Sequence, residues 1–150
     1  MYDTVLFPTD GERSSEAACD DAVELAALHG ATLHVLHVVD DATVEVLAEA
    51  GDSPRDEVEN ALKEQGNDTV EAVADRARAA DVDTETEVTH GKPDDVIVER
   101  ADELGADVIV MGTEEQPSEY RDLLGSVTES ALRKTVARVL VVKTEAEAEA

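Results

Sequence analysis

Positive charge is what this sequence has least of. Four lysines and eight arginines stand against 37 acidic residues, for a formal net charge of −25. Nucleic acid and anionic membrane surfaces are therefore excluded as partners, because both are held through clustered Lys and Arg. Cysteine occurs once, as Cys19, so no intramolecular disulfide can form. Cys19 falls in a predicted helix and reads as a small packing residue, not a nucleophile. No apolar run approaches the roughly 20 residues that a membrane-spanning helix needs. A targeting segment is not expected either, since a strand pattern begins by Thr4. The expectation is a soluble, cytoplasmic protein.

The acids are dispersed along 150 residues, of which 42% are hydrophobic. That length suits one domain with a proper core, and such a composition is not that of a disordered chain. The domain is expected to span residues 1–143. Residues 144–150 (Thr-Glu-Ala-Glu-Ala-Glu-Ala) have nothing to bury and read as an acidic C-terminal tail. A Lys-poor acidic surface resembles that of proteins from salt-accumulating halophiles. In 1 M salt the Debye length is about 3 Å, so self-repulsion would be largely screened.

Residues 4–8 (Thr-Val-Leu-Phe-Pro) form a short apolar strand that leads into Thr9-Asp10-Gly11. Ser14 or Ser15 is placed to cap the next helix, and Glu16, Asp20 and Asp21 suit the positive end of its dipole. Ala18, Ala22, Leu25 and Ala26 make its core face, His29 stands near its last carbonyls, and Gly30 ends it. Residues 31–39 are a longer buried strand; residues 40–52 read as either loop or short helix. Ser53 as cap and Pro54 at the first helical position open a long helix, with Val58, Leu62, Thr69, Val73, Ala77 and Ala80 on one face. Gly66-Asn67 is expected to weaken or break that helix midway.

Thr84, Thr86 and Val88 alternate with Glu85 and Glu87, as in a strand with one solvated face. Pro93 starts a helix carrying Val96, Ile97, Ala101 and Leu104, which Gly105 ends. Residues 107–111 form a fourth strand that stops at Gly112. A helix from Ser126 to about Ala137 is expected to pack Val127, Ala131, and Leu132 or Val136. Val139, Leu140, Val141 and Val142 are the fifth strand. His34 and His37 stand three apart on a strand and so point to opposite faces. That excludes a local metal pair and suggests satisfied buried histidines, while His90 reads as turn chemistry.

Strands alternating with helices imply parallel pairing and right-handed crossovers, hence an α/β doubly wound sheet of five strands. The third strand is polar enough for an edge, and the first and fourth are apolar enough for the centre. The order 3-2-1-4-5 follows, with winding reversed between strands 1 and 4. Ligands bind such sheets at that reversal, beyond the carboxyl ends of the strands. The fifth strand, residues 139–142, is then a wholly apolar edge, and a symmetric homodimer through it is expected.

The segment from Asp107 to Ser126 organises the rest. Strand, glycine, polar loop, glycine and helix start are the parts of a phosphate site, because glycine lets backbone approach and a helix N-terminus presents N–H groups. Here the residues resemble the universal stress protein family along nearly the whole chain. The resemblance rests on Pro8-Thr9-Asp10, His37-Val38, Gly91-Lys92-Pro93, Val110-Met111-Gly112, the run Leu123 through Glu129, and the apolar fifth strand. It implies a Rossmann-like fold of the adenine nucleotide alpha hydrolase-like type, a homodimer, an unknown protein partner, and a role in stress response or signalling.

The family's nucleotide-binding branch resembles G-x2-G-x9-G-S/T at this segment. Gly112, Gly125 and Ser126 stand in register, but Glu115 replaces the second glycine. By resemblance, Asp10 would hold the ribose or adenine end, Thr9 and Val38 would line the base pocket with Pro8 at the strand exit, and Met111 and Gly112 would lie along the nucleotide. Gly125, Ser126 and Val127 would offer donors to phosphate. Glu115 cannot readily take positive φ or let a ligand pass close, and Glu114 and Glu115 bring charge against a triphosphate. ATP binding is thus expected to be weak or absent. The alternative is a divergent site for ATP or AMP, with Mg or another divalent cation bridging phosphate to the acids.

Each motif also has a purely structural reading. Gly125-Ser126 can be a helix cap, Gly112 a strand exit, and Asp10 a turn acid. Ser126 has no evident base and no phosphate-clamping Lys is visible, so catalysis is not expected, and a slow ATPase is the only enzymatic reading kept open.

Overall fold

The computed structural model describes residues 1–11, 13–51, 53–115 and 126–145, with only the backbone described at residues 13, 14, 114, 115, 126, 144 and 145. In chain order the elements are β1 (Thr4–Pro8), α1 (Arg13–His29), β2 (Thr32–Asp40), α2 (Asp41–Ala50), α3 (Arg55–Ala79), β3 (Thr84–Gly91), α4 (Pro93–Leu104), β4 (Val108–Glu115), α5 (Ser126–Lys134) and β5 (Arg138–Glu145). All five strands pair in parallel in the order β3-β2-β1-β4-β5, as the sequence predicts.

The central strands are apolar at successive positions because both sheet faces are covered. Val5, Phe7, Leu33, Val35, Val108 and Val110 point to one side, against Ala18, Ala22 and Ala26 of α1 and Val70, Val73 and Ala77 of α3. Leu6, Leu36, Ile109 and Met111 point to the other, against Ile97 and Ala101 of α4 and Ala131 of α5. Alanine-rich helix faces let helix and sheet approach closely. Burial of each large side chain, such as Leu6 or Phe7, contributes about 1.5–3 kcal/mol. Asp107 fixes the entry of β1 beside β4. Its Oδ2 accepts the backbone N–H groups of Asp3 (2.8 Å) and Thr4 (3.0 Å), which hold its carboxyl below the usual range.

Several local expectations change. Helix α1 begins at Arg13, so Ser14 and Ser15 lie inside its first turn and not at its cap. Residues 41–50 form α2, capped by Asp40, whose Oδ1 accepts from Ala42 N–H at 2.9 Å. Pro54, not Ser53, occupies the N-cap of α3, with no side-chain capping bond. Helix α3 then runs unbroken through Gly66-Asn67, and its buried face is Gly66, Val70, Val73, Ala74 and Ala77. Gly66 is there for contact: a Cβ at that position would stand 2.6 Å from His37 Cδ2. Burial of that face outweighs the ~1 kcal/mol that glycine costs in a helix.

His29 turns toward Tyr2, accepting its N–H at 3.4 Å and packing on its ring, instead of meeting the last carbonyls of α1. His90 belongs to β3 and pairs with Asp41 at 3.2 Å. Helix α5 ends at Lys134, and both Leu132 (43%) and Val136 (94%) stay exposed. Strand β4 does not stop at Gly112. It continues to Glu115 because β5 continues beside it, with Gly112 opposite Val142 and Glu115 opposite Glu145. The backbone bonds of that ladder carry both strands past their apolar cores. Among the described residues, no helix is long and apolar enough to cross a membrane.

Helices α4 and α5 are joined by a buried carboxylate. Asp94, 7% exposed in the first turn of α4, accepts from Ser130 Oγ and from Lys134 Nζ at 2.8 Å. Lys134 also reaches Asp95 at 2.8 Å. The Lys134 bond, then that of Ser130, hold the Asp94 carboxyl far below its ordinary range. A carboxyl whose folded pKa is depressed stabilises the fold above its unfolded pKa and loses that contribution as pH falls toward the folded one. Asp94→Asn should therefore lower unfolding free energy at pH 7 by about 1–3 kcal/mol. The gap from the parent should begin to narrow as pH falls below about 4 and keep narrowing toward the depressed folded pKa, so that it is smaller, though not gone, at about pH 3. Denaturant titrations at pH 7 and pH 3 in molar KCl check this; an equal gap at both would remove the ion pair as its source.

Candidate functional site

Winding reverses between β1 and β4, and a cleft of about 250 Å³ opens at the carboxyl ends of the strands there. Its walls are apolar where Leu36, Val38, Ile97, Met111 and Val127 meet, and its polar lining is Thr9, Asp10, Ser15, Asp40 and Thr128, of which Thr9, Ser15 and Thr128 are buried. Pro8, Pro93 and Gly112 complete the lining.

The turn after β1 is held at several points. Thr9 N–H donates to the Leu36 carbonyl at 2.8 Å, extending the ladder one residue past Pro8. Gly11 N–H donates to Thr9 Oγ1 at 3.3 Å, and Gly11 itself has φ +79°, which glycine adopts without strain. Ser15 Oγ donates to Asp10 Oδ1 at 2.8 Å and lies 3.4 Å from Asp10 N–H. The serine expected as a helix cap thus orients the carboxylate of the cleft. On the opposite wall, Thr128 is buried and donates to the Gly112 carbonyl at 3.4 Å, tying α5 to β4.

Of the residues singled out from sequence, Pro8, Thr9, Asp10, Val38, Met111, Gly112 and Val127 line this one cleft. Ser126 is the first residue of α5, and Gly125 lies outside the described residues. Glu115 lies in extended β4, paired opposite Glu145, so the demand for positive φ that the motif places on that position does not arise. Ser15, Leu36, Asp40, Pro93, Ile97 and Thr128 were not singled out. Asp40 was findable, since it leaves β2 as Asp10 leaves β1. Thr128 sits inside the quoted Gly-Ser-Val-Thr run. Pro93 and Ile97 reach the cleft only through the packing of α4.

The electrostatics are one-sided. Asp10 and Asp40 line the cleft, and none of the described lining residues is Lys or Arg. Among the described residues no group of three or more His, Cys, Asp or Glu is placed to hold a metal. A larger groove, about 540 Å³, lies between α4 and strands β2 and β3. Its polar groups satisfy one another: His34 pairs with Glu85 at 3.2 Å, and Arg100 bridges Glu87 and Glu103. The cleft at the reversal point is the better candidate, because its polar groups converge on an apolar hollow.

Comparison with known proteins agrees with this architecture. A universal stress protein of Methanocaldococcus jannaschii, MJ0531, is 34% identical over 143 residues, covering 95% of this chain and 83% of the relative. The solved structure of MJ0577 from the same organism superposes with a TM-score of 0.81 at 28% identity, over 98% of this chain and 99% of the other. A universal stress protein solved in complex with cAMP superposes with a TM-score of 0.68 at 29% identity, over 95% of this chain and 97% of the other. The model of the universal stress protein family matches residues 1–143, and the chain belongs to that family.

Proposed function

We propose that this protein acts by binding, not turnover, and that its cleft takes the nucleoside end of an adenine nucleotide carrying few phosphate charges. The observation that carries this reading is the lining itself: an apolar hollow whose polar groups are carboxylates and hydroxyls, with no described cation. A base fits apolar walls, and ribose hydroxyls fit a carboxylate such as Asp10. At about 250 Å³ the described hollow is small for a ligand site and suits one base and sugar. A triphosphate would add charge beside Asp10 and Asp40 and would need a divalent cation such as Mg to offset it. The related structure in complex with cAMP supports the nucleotide class. Extended β4 through Glu115 supports weak ATP binding, because this stretch is ladder and not phosphate loop. The start of α5 at Ser126 and Val127 would offer backbone N–H groups to a single phosphate.

Dimerisation through β5 belongs to the same proposal. Strand β5 is an edge of the sheet, and Leu140 is 42% exposed on it while Val139 and Val142 pack inward. Occupancy of the cleft, read out through the dimer, would select which protein partner is engaged.

Thermal unfolding in molar KCl tests the ligand. A nucleotide at a hundred times its Kd stabilises by about 2.7 kcal/mol. AMP or cAMP should raise the midpoint, pyrophosphate should leave it unchanged, and Mg-ATP should act only at higher concentration. Asp10→Ala should abolish the AMP shift. No shift with any nucleotide at millimolar concentration would overturn the binding reading.

Light scattering in molar KCl tests assembly. The parent should give twice the monomer mass and Leu140→Glu the monomer mass. A monomeric parent, or an unchanged Leu140→Glu dimer, would remove β5 as the interface.

A further inference from the structure

One histidine that does not line the cleft bonds the backbone of Thr9, a residue that does. His37 of β2 is not among the residues lining the hollow. Its Nδ1 lies 2.8 Å from the carbonyl oxygen of Thr9. A carbonyl can only accept, so Nδ1 carries the proton and donates. Thr9 precedes Asp10, and the same residue already gives its N–H to Leu36 and its Oγ1 to Gly11 N–H. His37 thus secures the remaining polar group of the residue from which the Asp10 turn hangs.

The imidazole has little freedom of its own. A Cβ on Gly66 of α3 would stand 2.6 Å from His37 Cδ2, 3.2 Å from His37 Cγ and 3.1 Å from Val88 Cγ1. Gly66 is buried in the middle of a 25-residue helix, where glycine is otherwise unfavourable. One turn further along, the side chain of Thr69 abuts the same turn directly: a Cβ on Gly11 would stand 3.0 Å from its Oγ1. Two separate contacts therefore run from the middle of α3 to residues 9–11. One passes through the His37 ring, the other through Thr69.

From this geometry we infer that His37 and Gly66 are positioning residues for the nucleotide cleft: α3 sets the place of Thr9 and Asp10 through the His37 imidazole. Neither residue touches the hollow, so their effect on a ligand passes through the Thr9 carbonyl. The inference rests on the proposed nucleotide site for its consequence on affinity, but its structural half holds in the ligand-free protein.

Two readouts separate those halves. In the ligand-free full chain, backbone amide resonances of Asp10 and Gly11 should move in His37→Leu, which keeps bulk but loses the donor, and in Gly66→Ala, which crowds the ring. They should stay near parental values in His37→Asn, whose Nδ2 can take the place of Nδ1. Calorimetric titration with AMP should then show about a tenfold loss of affinity for His37→Leu and Gly66→Ala, the scale of one lost hydrogen bond, and less than about threefold for His37→Asn. If the amides move as stated but the parent binds no AMP, the nucleotide reading fails and the positioning role stands. Unmoved Asp10 and Gly11 amides in His37→Leu, or a Gly66→Ala protein that is more stable with unchanged amides, would overturn the positioning role.

Discussion

Burial of β1 and β4 on both faces is the constraint on which the rest depends. Val5, Leu6 and Phe7, and Val108, Ile109 and Val110, are at most 3% exposed. No arrangement with helices on a single side would cover them. Helices α1 and α3 must lie on one face and α4 and α5 on the other, and right-handed crossovers then force the winding to reverse between the two strands. The cleft is a consequence of that reversal: two helices diverge there, and strand ends that would otherwise be covered face outward. Asp10 owes its position to leaving β1 at this point.

The shortage of cations shapes how the elements are tied. Among the described residues, four cations each join two different elements. Arg76 of α3 meets Asp20 of α1, Arg55 of α3 meets Glu45 of α2, Arg100 of α4 meets Glu87 of β3, and Lys134 of α5 meets Asp94 of α4. The exposed pairs contribute little, about 0–1 kcal/mol each and less in high salt. Asp94 is different, because its carboxylate is buried and would be left uncompensated without Lys134 and Ser130. It also holds α5, whose Val127 and Thr128 form one wall of the cleft.

The proposed function rests on that wall and its opposite. Asp10, steadied by Ser15 and by the Thr9 backbone, faces Gly112 and Thr128 across an apolar hollow. The charges that could have favoured a polyphosphate are absent from the described lining, and the strand that would have turned into a phosphate loop continues as ladder. Membership of the universal stress protein family and a hollow of about 250 Å³ lined by carboxylates are compatible under the proposed reading, because binding a base and sugar needs no cation.

Sheet order, the alternation of elements, and the gathering of residues 8–10, 38, 111–112 and 127 at one end were legible in the sequence. Apolar runs, helix-starting Pro93 and helix-ending Gly30 and Gly105 report local or pairwise physics that does not depend on distant partners. What the sequence misjudged was decided at a distance. Gly66 reads as a breaker until His37 is placed against it, Ser15 as a cap until Asp10 turns toward it, and Gly112 as a strand exit until β5 extends the ladder to Glu115. In each case local propensity differs by about 1 kcal/mol between the alternatives, and one tertiary contact is enough to reverse it. Composition and periodicity determined which segments must be buried. Only the packed structure decided which polar groups meet, because those meetings join residues as far as 104 positions apart in the chain.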